Sequence, residues 1–169
     1  DEPFGCQGID PARVLQIAPS PEFRALRTEV TSAVNQGRFT VPRLACILPV
    51  LGSPADMEPT LVSLLEHRPA DCEILLVFNQ PYSDPYNLAG EVRMLTAPPR
   101  ADLIDCVNLA LQLVESPYIH LLSVGVTVTP GWTEPALACF QDPHVALVAP
   151  AIMNADRPDE LLAAGWRYA

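Results

Sequence analysis

The residues best placed to do chemistry lie in one stretch, SPYIHLLSVGVTVTPGW, at residues 116–132. Its apolar run 118–122 follows a Ser-Pro turn and is long enough for a buried strand but too short for a helix. Ser123 and Gly125 come next, and Pro130-Gly131 closes the segment as a turn. Open α/β sheets hold their ligands at such polar breaks just past a buried strand, so Ser123 and Gly125 are the first site candidates. Other chemistries fit the residues less well. No G-x-S-x-G surrounds Ser123 and no histidine is placed by sequence to activate it, so it reads as a turn serine rather than a nucleophile. His120 is expected in or near the core, and Asp142-Pro143-His144 reads as a turn, so the two histidines do not make a metal pair. Cys6, Cys46, Cys72, Cys106 and Cys139 are isolated, with no C-x-x-C, and behave as small hydrophobes. Unpaired cysteines fit a reducing, cytoplasmic compartment.

The elements that must position these residues alternate. LACILPV at 44–50 is a continuous apolar run, as in a strand buried on both faces. Gly52-Ser53-Pro54 turns the chain, Asp56 is a candidate cap, and Met57, Leu61, Leu64 and Leu65 form a helix stripe. EILLVF at 73–78 is a second buried strand, NQPYSDPYN at 79–87 a turn-rich loop, and 91–96 a third, more exposed strand. Asp102 opens a helix with the stripe Leu103, Val107, Ala110, Leu111 and Val114; after the strand at 118 come a helix near 134–141 and an apolar strand at 145–150. Strands alternating with amphipathic helices predict an α/β fold, a three-layer α/β/α domain on a mostly parallel sheet. Before it, residues 1–43 are an appendage carrying one amphipathic helix. Ser20 caps it, Pro21 and Glu22 suit its first turn, Gly37 stops it, and Phe23, Leu26, Val30, Ala33 and Val34 form its stripe. That stripe is expected to bury against the sheet domain or another copy of the chain.

The 169 residues suffice for one domain with a sizeable core and an appendage. Half are apolar and the net charge is −10, with arginine supplying every cation. Such a chain repels phosphate backbones, so nucleic acid and a bare anionic membrane are poor partners. No membrane-length apolar run or signal peptide is evident.

In order along the chain, the segments resemble the nucleotide-sugar half of family 2 glycosyltransferases, which have the GT-A, nucleotide-diphospho-sugar transferase-like fold. Residues 44–67, LACILPVLGSPADMEPTLVSLLEH, are similar to that family's opening strand and helix, through Pro49-Val50, Thr60-Leu61 and Ser63-Leu64-Leu65. Residues 73–84 lie where the family has its second strand and an acidic D-D-G-S-x-D loop. The run from Arg100 to Trp132 resembles the segment with its D-x-D strand end, with Arg100, Asn108 and Trp132 matching. Residues 147–169 look like its V-G-P…P-D-G…A-G run, through Pro150, Pro158-Asp159 and Ala164-Gly165. The likeness covers about three quarters of the chain, which would then end before the family's acceptor half, where the general base lies. It implies a nucleotide-sugar site at Pro49, Leu51, Gly52, Phe78, Asn79, Asp84, Arg100, Asn108, Ser123 and Gly125.

The departures fall on the chemistry. The family's D-x-D carboxylates hold magnesium or manganese against the donor pyrophosphate, a task for hard oxygen ligands. Here those positions are Ser123 and Gly125, the paired aspartates of the second loop are Phe78 and Asn79, and only Asp84 remains acidic. The family's tyrosine-asparagine pair near the base is Leu51-Gly52. Asp102 and Asp105 in the first turns of a helix would oppose a pyrophosphate by on the order of a few kcal/mol each, with Arg100 alone to offset them. The residues therefore imply no metal cofactor and a catalytically degraded glycosyltransferase-like domain that binds a nucleotide sugar or glycan or serves as a scaffold. The alternative is an active transferase with a metal-independent or incomplete site. An oligomer or a further domain could be joined through the N-terminal helix.

Overall fold

A computed structural model describes residues 43–88 and 90–164. The expected N-terminal helix and Gly165 of the Ala164-Gly165 match lie outside the described residues. The described chain falls into two units, 43–129 and 130–164.

The first unit is built on a four-stranded, wholly parallel sheet, so the α/β expectation holds. Its strands are β1 (Leu44–Val50), β2 (Cys72–Phe78), β3 (Arg93–Thr96) and β4 (Tyr118–Leu121), in the order β3-β2-β1-β4. Every residue of β1 is buried, as its unbroken apolar run requires of a strand with a partner on each side. The helices are α1 (Glu58–Glu66), entered through a 3-10 turn at Pro54–Met57, and α2 (Leu103–Leu111). The β1-to-β2 connection crosses the sheet in one direction and the β3-to-β4 connection in the other. Right-handed crossovers then place α1 and α2 on opposite faces, which makes three layers. Under α2 lie Ala45 and Ile47 of β1 and Leu75 and Val77 of β2, packed with Cys106 and Ala110.

Glu73 staples the entry side of the sheet. Its carboxylate accepts from Arg93 of β3 at 3.1 Å and from the Ser116 hydroxyl just before β4 at 2.9 Å. Arg68 does the same for the α1–β2 turn, donating to the carbonyls of Cys72 at 2.8 Å and Glu91 at 2.9 Å.

The second unit holds α3 (Glu134–Cys139) and an antiparallel pair, β5 (Ala151–Met153) with β6 (Leu161–Ala164). Asn154 organises the connection: its side-chain oxygen accepts from the N–H of Asp156 at 2.9 Å, and its own N–H reaches the Glu160 carbonyl at 2.8 Å. His144 N–H meets the Asp142 carboxylate at 2.9 Å, the expected turn.

Four expectations need correction. Residues 145–150 form no strand; an apolar run becomes one only where a neighbour offers its backbone, and here pairing starts at Ala151 with β6 as partner. The run at 118–122 predicted a buried strand, yet β4 alternates half-buried and exposed residues because β1 is its only partner among the described strands. Ser53, not Asp56, caps the first helical turn, accepting weakly from Ala55 N–H at 3.4 Å. On α2, Ala110 of the expected stripe is buried, but so is Cys106, which the stripe omitted, while Leu103 and Leu111 are exposed.

Cys46, Cys72 and Cys106 are buried free thiols, as their apolar settings imply. Burial pushes the Cys72 thiol up to about 11, against the opposing pull of Arg68. Burial also holds the His120 imidazole below its ordinary value of 6.5. The folded chain then resists a proton that the unfolded chain accepts, so this contribution to stability is complete above pH 6.5 and is lost as pH falls below it. The melting midpoint should drop between about pH 7.5 and about pH 5.5, on either side of the free imidazole, and His120→Gln should make that drop shallower. Parallel pH profiles of the two proteins would contradict this.

Candidate functional site

Parallel strands all present their carboxyl ends on one side, and the strand order reverses between β1 and β4. That reversal opens a crevice where the chain leaves β1 toward α1 and leaves β4 toward 123–129. Leu122 N–H still bonds the Ile47 carbonyl at 3.0 Å, but β1 continues to Val50 while the chain after Leu122 turns away. Pro49 is buried at the end of β1, and Leu51 and Gly52 are exposed just past it. Ser123 and Gly125 are exposed on the β4 side.

The loop after β4 is fixed from α1. Thr60 Oγ1 accepts from Gly125 N–H at 2.9 Å. Ser63 Oγ accepts from Val128 N–H at 3.1 Å and donates to the Thr60 carbonyl at 2.8 Å. Both hydroxyl residues are buried, so each bond satisfies a group that has little access to water. Gly125 has φ of 90°, a left-handed conformation that side-chain-bearing residues rarely adopt, although a Cβ there would meet nothing within 4 Å. Glycine is needed for the backbone turn, not for space.

The loop after β2 lies against the same crevice. Gln80 donates to the Gly52 carbonyl at 2.9 Å, and Asn79 donates to the Ala101 carbonyl at 3.1 Å. Phe78 is buried beneath Tyr82, whose ring stacks on it with centroids 4.2 Å apart and planes 9° from parallel. The aromatic group nearer solvent is thus Tyr82, and its hydroxyl oxygen is buried without a hydrogen-bond partner among the described residues. Asp84 is occupied by its own turn: its carboxylate accepts from Tyr86 N–H at 3.2 Å and Leu88 N–H at 2.7 Å. One acid does approach the end of β1, since Asp56 Oδ2 lies 3.9 Å from where a Gly52 Cβ would stand.

Arg100 and Asn108 come together elsewhere, on the β3 side of α2. They line an open depression of about 380 Å³ with Asp105, Leu109 and Gln112. Arg100 holds a left-handed backbone, φ 69°. The N-terminus of α2 is already capped by its own acids. Asp102 accepts from Asp105 N–H at 2.9 Å, and Asp105 accepts from Asp102 N–H at 3.1 Å. An incoming anion would have to displace both carboxylates to reach those donors.

The predicted residues thus divide. Pro49, Leu51, Gly52, Ser123 and Gly125 sit at the β1–β4 crevice, Phe78, Asn79 and Asp84 follow β2, and Arg100 and Asn108 flank α2. Thr60, Ser63, Tyr82 and Asp56 were not among the site candidates. A legible signal existed for two of them: Thr60 and Ser63 are polar residues three apart, adjoining the apolar stripe of α1. Among the described residues no three His, Cys, Asp or Glu side chains gather as a metal-binding group. The geometry offers neutral donors and acceptors, one stacked aromatic pair and isolated carboxylates.

No family model matches the chain, and no curated protein matches it. Among solved structures, the crystal structure of S. aureus TarS aligns at a TM-score of 0.46 and 15% identity, over 60% of this chain. The chain spans about 20% of that protein's length, and the likeness assigns neither a family nor an activity.

Thr60→Val keeps the shape of the side chain and leaves Gly125 N–H without its acceptor. It should cost about 1–3 kcal/mol of stability and speed amide exchange at Gly125 more than at Val128. Unchanged exchange at Gly125 would mean that the loop is held by something else.

Proposed function

We propose that the chain is a GT-A-like domain that has lost metal-dependent sugar transfer and serves in binding a sugar or nucleotide sugar, or as a scaffold. The resemblance to family 2 glycosyltransferases, segment by segment, motivates the reading. The observation that carries it is the chemistry at the β1–β4 crevice. The positions for metal-binding carboxylates hold Ser123 and Gly125, and the Gly125 N–H is committed to Thr60. Asp84 is committed to backbone amides, and Asp56 stands alone at the β1 end. One carboxylate does not make a divalent-cation site of the kind that needs several hard oxygens.

Without a metal, a pyrophosphate needs cationic donors. Arg100 is the cation this reading has to offer, and it shares its depression with Asp105. Sugar hydroxyls make smaller demands. They accept hydrogen bonds from amides and hydroxyls and donate to a single carboxylate, which is the set that Ser123, Gln80 and Asp56 supply. Among the described residues, the general base of a transferase has no candidate in the crevice beyond Asp56.

The test is calorimetric titration of uridine and guanosine diphosphate sugars into the chain, with manganese and with a chelator. Any binding should be the same in both, with no donor hydrolysis. Tight binding that requires manganese would show a live metal site and overturn the reading. Putting an acid back at 125 is a poor rescue, because φ of 90° strains any side chain. Gly125→Asp should cost about 1–3 kcal/mol, whatever it gains in charge.

A further inference from the structure

Part of the sheet domain has no cover among the described residues. Ile119 and Leu121 of β4 are 44% and 55% exposed. Register sets Ile119 beside Ala45 and Leu121 beside Ile47, so they lie on the face that α2 covers over β1 and β2. Leu109 of α2 and Leu95 of β3 pack against the same buried cluster, so that flank of α2 leans toward β3. At about 100° per residue the opposite flank carries Leu103, Ile104, Val107 and Leu111. Leu103, Ile104 and Leu111 are 51%, 62% and 39% exposed. Floor and wall together make an apolar slot beside α2, above β4. Helices pack about 8–10 Å apart, and a slot next to one helix on a sheet is shaped for another. A contiguous apolar surface of this kind marks an interaction site.

We propose that the occupant is the chain's own segment 20–36, docked as a helix with Phe23, Leu26, Val30, Ala33 and Val34 against Ile119, Leu121 and the α2 flank. The stripe supplies apolar residues at helical spacing, and where the segment ends supplies the reach. Residues 37–43 lead directly into β1, whose first residue Leu44 is in register with Tyr118, the first residue of β4. Seven residues span up to about 25 Å, and a helix of about 16 residues is about 24 Å long. A seven-residue strand such as β1 is about 23 Å long. The helix is therefore about as long as β1, and the connection is long enough to bring it beside the sheet. A second copy and residues 130–164 are the competing occupants.

The experiment places a photo-activated benzophenone amino acid at Leu121 in the full chain and maps the cross-linked peptides by mass spectrometry. The expected product is an intramolecular link to residues 20–36. A link to residues 130–164, a link between copies, or no protein link overturns the proposal. A second measurement guards against a disturbed variant. Leu26→Glu and Leu121→Glu should each lower the melting midpoint, and together should lower it no further than the worse of the two. An additive loss contradicts direct contact.

Discussion

Two hydroxyls on one helix decide the shape of the strand ends. Thr60 and Ser63 point from α1 into a buried space and take the N–H groups of Gly125 and Val128. A backbone leaving a sheet must satisfy its donors somewhere, and the usual choices are another strand, water or a ligand. Here the protein supplies the acceptors itself. The loop that the sequence marks as the likeliest ligand site is thus ordered by internal bonds, with no need of a cation to hold it. Gly125 makes the turn possible through its left-handed backbone, and the rest of the crevice follows from where the loop is pinned.

The same economy recurs around the crevice. Asp84 closes its own turn, Asp102 and Asp105 together cap α2, and Asn79 spends its amide on the Ala101 carbonyl. These groups, which might have met a pyrophosphate or a cation, already have structural partners. Carboxylates used as caps are stabilising where they stand, and recruiting them to a ligand would forfeit those bonds. What is left at the crevice is neutral polar groups and the Asp56 carboxylate.

How much of this was legible depended on burial. Continuous apolar runs gave β1 and β2 with boundaries good to a residue, because strands buried on both faces write an unmistakable pattern. The run at 145–150 has the same pattern and forms no strand; composition records that a segment is apolar, not whether an edge exists for it to join. On α2 the stripe included Ala110, which is buried, but passed over Cys106, which is buried beside it, and took in Leu103 and Leu111, which are exposed. At the site, the positions Ser123 and Gly125 were readable from the break after β4, but their partners were not. The Thr60–Gly125 bond joins residues 65 apart, and no local pattern specifies such a pairing. Tyr82 was hidden for a similar reason, since a turn-rich loop does not reveal which ring folds back on Phe78.

The central claim is that the loop after β4 keeps its shape and its neutrality without a metal. Amide NMR spectra with paramagnetic manganese test this residue by residue, because a bound ion broadens the signals within a short distance of it. The account predicts that Ser123, Val124, Gly125 and Val126 broaden no more than amides beside exposed acids such as Asp71, with or without a nucleotide sugar. Selective loss of the 123–126 signals at low manganese would place a cation in the crevice and contradict it.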